Sequence, residues 1–170
     1  LLAIGGPKAG PRKIAGAGRL GGIFSDPDGI EIQFLPAPDT LVTAAVPSDL
    51  VPPRKGLVTP RGLDHVLLDV SDLEKGVQFY RILYGEPALR DRTTGRVWFQ
   101  IGDTRLGLQQ AAAGQKPHIE HFGIKVAPFD AQAVTKGLQA LGARVTPTPY
   151  EPNVLRFTDP DGISLEVVSS

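Results

Sequence analysis

His65-Val-Leu-Leu-Asp-Val70 returns 56 residues later as His121-Phe-Gly-Ile-Lys-Val126. Each stretch opens on a histidine, has a valine five positions on, and reads as a strand. After the first, Ser71-Asp-Leu-Glu74 has the form of a capping box, in which the Ser71 hydroxyl takes an orphan amide and Glu74 reaches back. The helix it starts is expected to bury Leu73, Val77, Tyr80 and Leu83 or Tyr84, and Gly85 ends it. After the second, Asp130 caps a helix burying Val134, Leu138 and Leu141, and Gly142 stops it. The stop glycines fall 20 and 21 positions after the two histidines. Strands near 96–101 and 104–109, joined at Gly102-Asp103, follow the first helix; strands near 153–158 and 163–168 follow the second.

A longer repeat lies over this one. Ile23-Phe-Ser-Asp-Pro-Asp-Gly-Ile30 returns as Arg156-Phe-Thr-Asp-Pro-Asp-Gly-Ile163, 133 residues later. The unit is therefore strand, helix, then two or three strands, an α+β fold with a mixed sheet. Residues 61–170 hold two units. Residues 1–35 read as the C-terminal remnant of another, and residues 36–60, with six prolines, as a linker. Residues 5–22, with seven glycines, four basic residues and no acid, read as loop. The remnant's open sheet edge predicts a covering chain, hence a homodimer.

Composition narrows the function. Eighteen basic and 18 acidic residues balance in a chain of 170, so neither nucleic acid nor an anionic membrane is expected as partner. No apolar run is long enough to span a bilayer. Without cysteine there is no disulfide, thiolate nucleophile or zinc–thiolate site. The absence of methionine predicts a processed or partial product; cytoplasm is the default location, with a removed signal peptide left open. Gly16-Ala-Gly-Arg-Leu-Gly21 matches a dinucleotide fingerprint by letter but lacks the preceding strand and following helix, and is rejected.

The repeated strand–helix–strands unit, a histidine on each first strand and the Asp-Pro-Asp-Gly turn before a terminal glutamate resemble the vicinal oxygen chelate superfamily. That group includes glyoxalase I, extradiol dioxygenases, fosfomycin-resistance enzymes, methylmalonyl-CoA epimerase and bleomycin-binding proteins. The resemblance covers residues 61–170 and, as a partial third copy, 20–35. It implies paired βαβββ modules forming a U-shaped sheet around a divalent metal, with a small molecule as partner.

His65 and His121 occupy equivalent places on equivalent strands, and Glu166 lies on the last strand among apolar neighbours. A carboxylate so placed needs a partner or a cation. Two imidazoles and one carboxylate suit Fe, and also Mn, Zn or Ni. At the position where glyoxalase I has a fourth ligand, counting from the hairpin turn gives Gly107, which cannot ligate; counting from the helix stop gives Gln109. The turn-based count is preferred, and three ligands then fit dioxygenases and fosfomycin-modifying enzymes better than four-ligand glyoxalases. A dioxygenase-like activity on a small bidentate oxygen substrate is favoured, because the open triad leaves two sites for substrate and one for dioxygen. The alternatives are a glyoxalase-type lyase or isomerase, or a non-catalytic drug-binding protein. Extradiol dioxygenases carry a tyrosine where this chain has Arg156, and a histidine where it has Thr146-Pro-Thr-Pro149. Arg156, as a holder of an anionic substrate, and Tyr150, as a proton donor, are the catalytic candidates. His118 reads as a loop-end polar residue. On the strand near 96–101, Val97, Phe99 and Ile101 form a core face and Trp98 falls on the other, as an apolar wall of a pocket.

Overall fold

The structure is a computed structural model, and it describes residues 10–13, 20–34, 56–148 and 151–170. Tyr150 and residues 36–55 of the segment read as linker lie outside the described residues. The chain divides into two compact units, Leu1–Gly56 and Leu57–Ser170.

In the first unit, β1 (Gly10–Lys13), β2 (Leu20–Ser25) and β3 (Glu31–Phe34) form an antiparallel sheet in that order. β1 and the first three residues of β2 fall inside 5–22, the stretch read as loop. Glycine weakens strand propensity, but a ladder to a neighbouring strand overrides it. The Asp26-Pro-Asp-Gly29 turn closes the β2–β3 hairpin. Asp26 Oδ1 accepts the amides of Asp28 (2.9 Å) and Ile30 (2.8 Å), and Gly29 takes the positive φ of 87° that the turn requires. Phe24 and Phe34 stack across the hairpin at 5.0 Å.

The second unit contains β4 (Pro60–Val70), α1 (Leu73–Tyr84), β5 (Leu89–Arg90), β6 (Val97–Ile101) and β7 (Thr104–Gln110). It repeats them as β8 (His118–Val126), α2 (Ala131–Ala140), β9 (Arg144–Thr146), β10 (Val154–Thr158) and β11 (Ser164–Ser169). The strand order is β5-β6-β7-β4-β8-β11-β10-β9. Each half is thus a βαβββ module, and the two meet at the antiparallel β4–β8 pair. Within each module the first strand pairs in parallel with the last, β4 with β7 and β8 with β11. The short strands β5 and β9 were not legible, because two or three residues carry no periodicity. Among the described residues, no helix is long and apolar enough to cross a membrane.

Both helices cover the same kind of face. α1 packs on β6 and β7, where Val70, Val77, Phe79, Tyr80, Val97, Phe99 and Leu108 are buried. α2 packs on β9 and β10 over Val126, Val134, Leu155 and Val167. Val58, near the end of the expected linker, packs against this second cluster, and Pro60 already belongs to β4. Three side chains depart from expectation. Ser71 does not cap α1; Asp72 does, accepting the Lys75 amide at 3.0 Å, while the Ser71 carbonyl accepts from Gln110 Nε2 at 2.7 Å. Ile101, the last residue of β6, and Leu141, at the C-cap of α2, are 37% and 70% exposed: each stands where its element runs past its cover.

Candidate metal centre

The other face of the sheet bears polar side chains. Alternation and register bring His65, Leu67 and Asp69 of β4 beside Arg105, Gly107 and Gln109 of β7. On the far side of β4 follow His121 and Gly123 of β8, Glu166 of β11 and Arg156 of β10. Trp98 of β6 lies across from Gly107. A cavity of about 450 Å³ opens on this face, lined in part by Asp64, His65, Trp98, His121, Arg156 and Glu166.

The two histidines and the glutamate meet. His65 Nε2 lies 2.7 Å from His121 Nε2, and Glu166 is 3.4 Å from the first and 3.5 Å from the second. All three residues are buried. The modular pairing that the sequence repeat implied accounts for this, since β4 and β8 lie side by side at the junction.

Each imidazole is held from behind by the acid that precedes it. His65 Nδ1 donates to Asp64 Oδ2 at 2.7 Å, and His121 Nδ1 donates to Glu120 Oε2. Adjacent residues on a regular strand face opposite ways, so these contacts need a local irregularity, and both strands have one. Between Leu63 and His65, β4 advances two residues while β8 advances one, making Asp64 the extra residue. Between His121 and Ile119 it is β8 that carries the extra residue, Glu120. Such bulges re-aim side chains. The sequence reading missed both acids; an acid directly before each histidine was the available signal.

With both Nδ1 atoms donating to carboxylates, both Nε2 lone pairs turn toward each other and toward Glu166, while Arg156 Nη2 stands 3.0 Å from His121 Nδ1 and 3.5 Å from its Nε2. A cation is the natural occupant of such a set. Ligands bonded at about 2.1 Å and at right angles stand about 3 Å apart; here the two Nε2 atoms are 2.7 Å apart, Glu166 Oε2 is 3.4 Å from His65 Nε2, and Glu166 Oε1 is 3.5 Å from His121 Nε2. The residues present therefore fit a divalent ion.

Burial pulls the His65 imidazole below its ordinary 6.5, against the hydrogen bond it donates to Asp64, and the neighbouring His121 lowers it further. A neutral ring is the ligating form. Burial pushes the Asp64 carboxyl up, but hydrogen bonds from His65 and Arg105 outweigh it and hold it below 3.8. The hydrogen bond from His121 likewise holds Glu120 below 4.5 despite burial.

Arg156 lines the cavity and is engaged with Glu166, to which Nε donates at 2.9 Å and Nη2 at 2.8 Å. Arg105 Nη2 reaches Asp64 at 2.5 Å, and its guanidinium lies over the Trp98 ring at 5.2 Å. Trp98 meets His65 edge-on at 5.6 Å and lines the cavity, as its alternation predicted. His118 stands apart at the start of β8, exposed, against the Lys116 carbonyl.

Two glycines carry the geometry. A Cβ on Gly123 would lie 2.6 Å from His65 Cε1, so only glycine leaves that ring its place. Gly107 pairs with Leu67, two residues beyond His65, as Glu166 pairs with Gly123, two beyond His121. Gly107 is therefore the counterpart of Glu166. A Cβ there would come within 2.6 Å of Trp98 and 2.7 Å of Leu67. Gln109, the other candidate, faces Asp69 instead and donates to its Oδ1 at 2.7 Å.

A sequence profile described as a glyoxalase-like domain matches residues 65–168. The metallothiol transferase FosB of Staphylococcus epidermidis is 30% identical over 114 residues, covering 62% of this chain and 79% of FosB. Among solved structures, the 2,3-dioxygenase LapB of Pseudomonas sp. KL28 is 27% identical with a TM-score of 0.52, covering 68% of this chain and 42% of LapB. The halotolerant catechol dioxygenase BphC has a TM-score of 0.68 at 17% identity, a likeness of fold that covers 99% of this chain and 60% of BphC. The chain thus spans less than two thirds of either dioxygenase. With the profile matched across both modules, and the topology and strand pairing of those modules as described, the chain belongs to the glyoxalase-like domain family of the vicinal oxygen chelate superfamily.

Proposed function

We propose that this protein is a metal-dependent enzyme with dioxygenase-like activity on a small substrate that chelates through two oxygens. His65, His121 and Glu166 hold the metal. The observation that carries this reading is the convergence of three donor atoms at the foot of an open cavity, with Gly107 at the fourth-ligand position. A divalent ion there supplies Lewis-acid polarisation and, as iron(II), a partner for dioxygen. Asp64 and Glu120 orient the imidazoles, and Arg156 steadies Glu166. Trp98 keeps water from one wall. Tyr150 remains the candidate proton donor.

Loading the metal-free protein anaerobically with iron(II), then supplying catechols and oxygen, tests the reading. Substrate-dependent oxygen uptake that is lost with the metal in His121→Ala is expected. Unchanged metal content in that variant, with the fold retained, overturns the ligand assignment. Stoichiometric metal without oxygen uptake overturns the dioxygenase assignment alone.

A second reading has its own support. Among the described cavity-lining residues there is no tyrosine, and the only histidines are the two proposed ligands. A site that polarises its substrate without moving a ring proton matches group transfer, as the name of the related metallothiol transferase suggests. Metal-dependent consumption of a thiol with an electrophilic substrate distinguishes this from oxygen chemistry.

We also propose that residues 1–35 repeat the closing strands of a module. Ile23 pairs with Gln33 in β2–β3 as Arg156 pairs with Glu166 in β10–β11, at the same distance from the same turn. The ligand carboxylate has become an amide there, so this unit holds no metal by the same route.

A further inference from the structure

Of the three arginines that line the cavity, two are already held by carboxylates. Arg105 is paired with Asp64, and Arg156 with Glu166 and, at 3.5 Å, with Glu120. Arg96 is different. Its Nε donates to Gln109 Oε1 at 2.9 Å, and Gln109 Nε2 donates to Asp69 Oδ1 at 2.7 Å. Asp69 is 4% exposed, so the chain of bonds is anchored in the body of the sheet. An amide between a buried carboxylate and a guanidinium has one workable orientation, nitrogen to Asp69 and oxygen to Arg96. It fixes the Nε edge of Arg96, and among the described residues no carboxylate takes the terminal nitrogens.

The position suits recognition. Arg96 immediately precedes β6, two residues before Trp98, and lines the same cavity as Trp98 and the two histidines. Trp98 meets His65 edge-on, and a spacing of two residues, roughly 7 Å, separates Arg96 from the indole-bearing position. Arg96, Arg105 and Arg156 face Asp64, Glu151 and Glu166 on the cavity wall and Glu120 behind His121, the Glu120 carboxyl being held down by His121 first and by Arg156 and Arg96 as well. A divalent ion then leaves an excess of one positive charge, which an anionic chelator would neutralise.

We propose that Arg96, positioned by Gln109 and Asp69, is an anion subsite that selects substrates carrying a carboxylate about one ring away from their chelating oxygens. This rests on the metal site proposed above, and the test separates the two. The full chain is loaded with redox-inert zinc and titrated calorimetrically with catechol and with 3,4-dihydroxybenzoate. The probes share the chelating oxygens and differ by one carboxylate.

The carboxylate is expected to tighten binding by about tenfold or more. Arg96→Gln abolishes that ratio and leaves catechol affinity unchanged; Gln109→Leu lowers the ratio, again without moving catechol. Equal affinities in the unaltered protein, a ratio that survives Arg96→Gln, or no binding of either probe each overturns the proposal. Zinc and catechol binding with no preference sinks the subsite and spares the metal site. A preference that depends on Arg96 in protein that takes up no zinc does the reverse. Should Arg96→Gln fail to fold, the ratio in the unaltered protein and in Gln109→Leu still decides.

Discussion

Replacing Gly123 by alanine puts a methyl group where the His65 ring lies. The added carbon would sit 2.6 Å from His65 Cε1, 2.8 Å from Nδ1 and 3.3 Å from Nε2. Carbon atoms in contact stand about 3.5–4.0 Å apart, so the ring must withdraw by about 1 Å. Metal–ligand bonds tolerate about 0.2 Å. The ring therefore loses either its bond to the ion or its hydrogen bond to Asp64. Disturbing an orienting partner of a ligand costs about 10–100-fold in metal affinity, or about 1.4–2.8 kcal/mol. The fold loses at most the cost of local overpacking, about 1–3 kcal/mol. Competition with a chromophoric chelator measures zinc affinity, and thermal melts followed by circular dichroism check the fold. The expected result is a cooperative melt a few degrees lower with zinc bound about 10–100-fold more weakly. Unchanged zinc affinity would refute the packing of His65 on β8, and with it the shared site.

Other outcomes follow from the same geometry. Gly107→Ala alone should cost about 1–3 kcal/mol, and less when Trp98→Ala has first removed the indole it meets; additive effects in chemical denaturation would contradict that contact. In metal-free protein the depressed His65 binds fewer protons folded than unfolded, so its stability contribution is full above 6.5 and is lost as pH falls through the lowered value. Asp64 and Glu120, held below 3.8 and 4.5, add a second loss in stronger acid. The melting temperature should therefore fall on acidification below 6.5, and a rise would refute the assignment. Asp159 Oδ1 accepts the amides of Asp161 (3.0 Å) and Ile163 (2.8 Å), so Asp159→Ala should cost about 1–2 kcal/mol and Asp159→Asn less; equal losses in the two variants would count against the turn.

Much of this architecture was legible because it is local. Asp159 and Gly162 make their turn with their own neighbours, and Asp130 caps the helix that follows it. The paired histidines were legible because a repeat places equivalent residues at equivalent positions, and pseudo-symmetric pairing needs no further information. Ser71 was misjudged by one residue because the choice between two adjacent capping groups depends on where β4 ends, and Gln110, on another strand, takes the Ser71 carbonyl.

The site's finer construction belongs to tertiary structure. Asp64 and Glu120 turn toward their histidines because β4 and β8 each bulge against the other. No single strand carries that information: a bulge is a mismatch between two partners. Gly107 rather than Gln109 stands opposite Leu67 because of register, and Gly123 is glycine because a ring from another strand occupies its Cβ position. Sequence alone determined which residue types stand on each module's strands; the pairing of those strands decided which of them meet, since contacts between distant segments are set by the sheet as a whole.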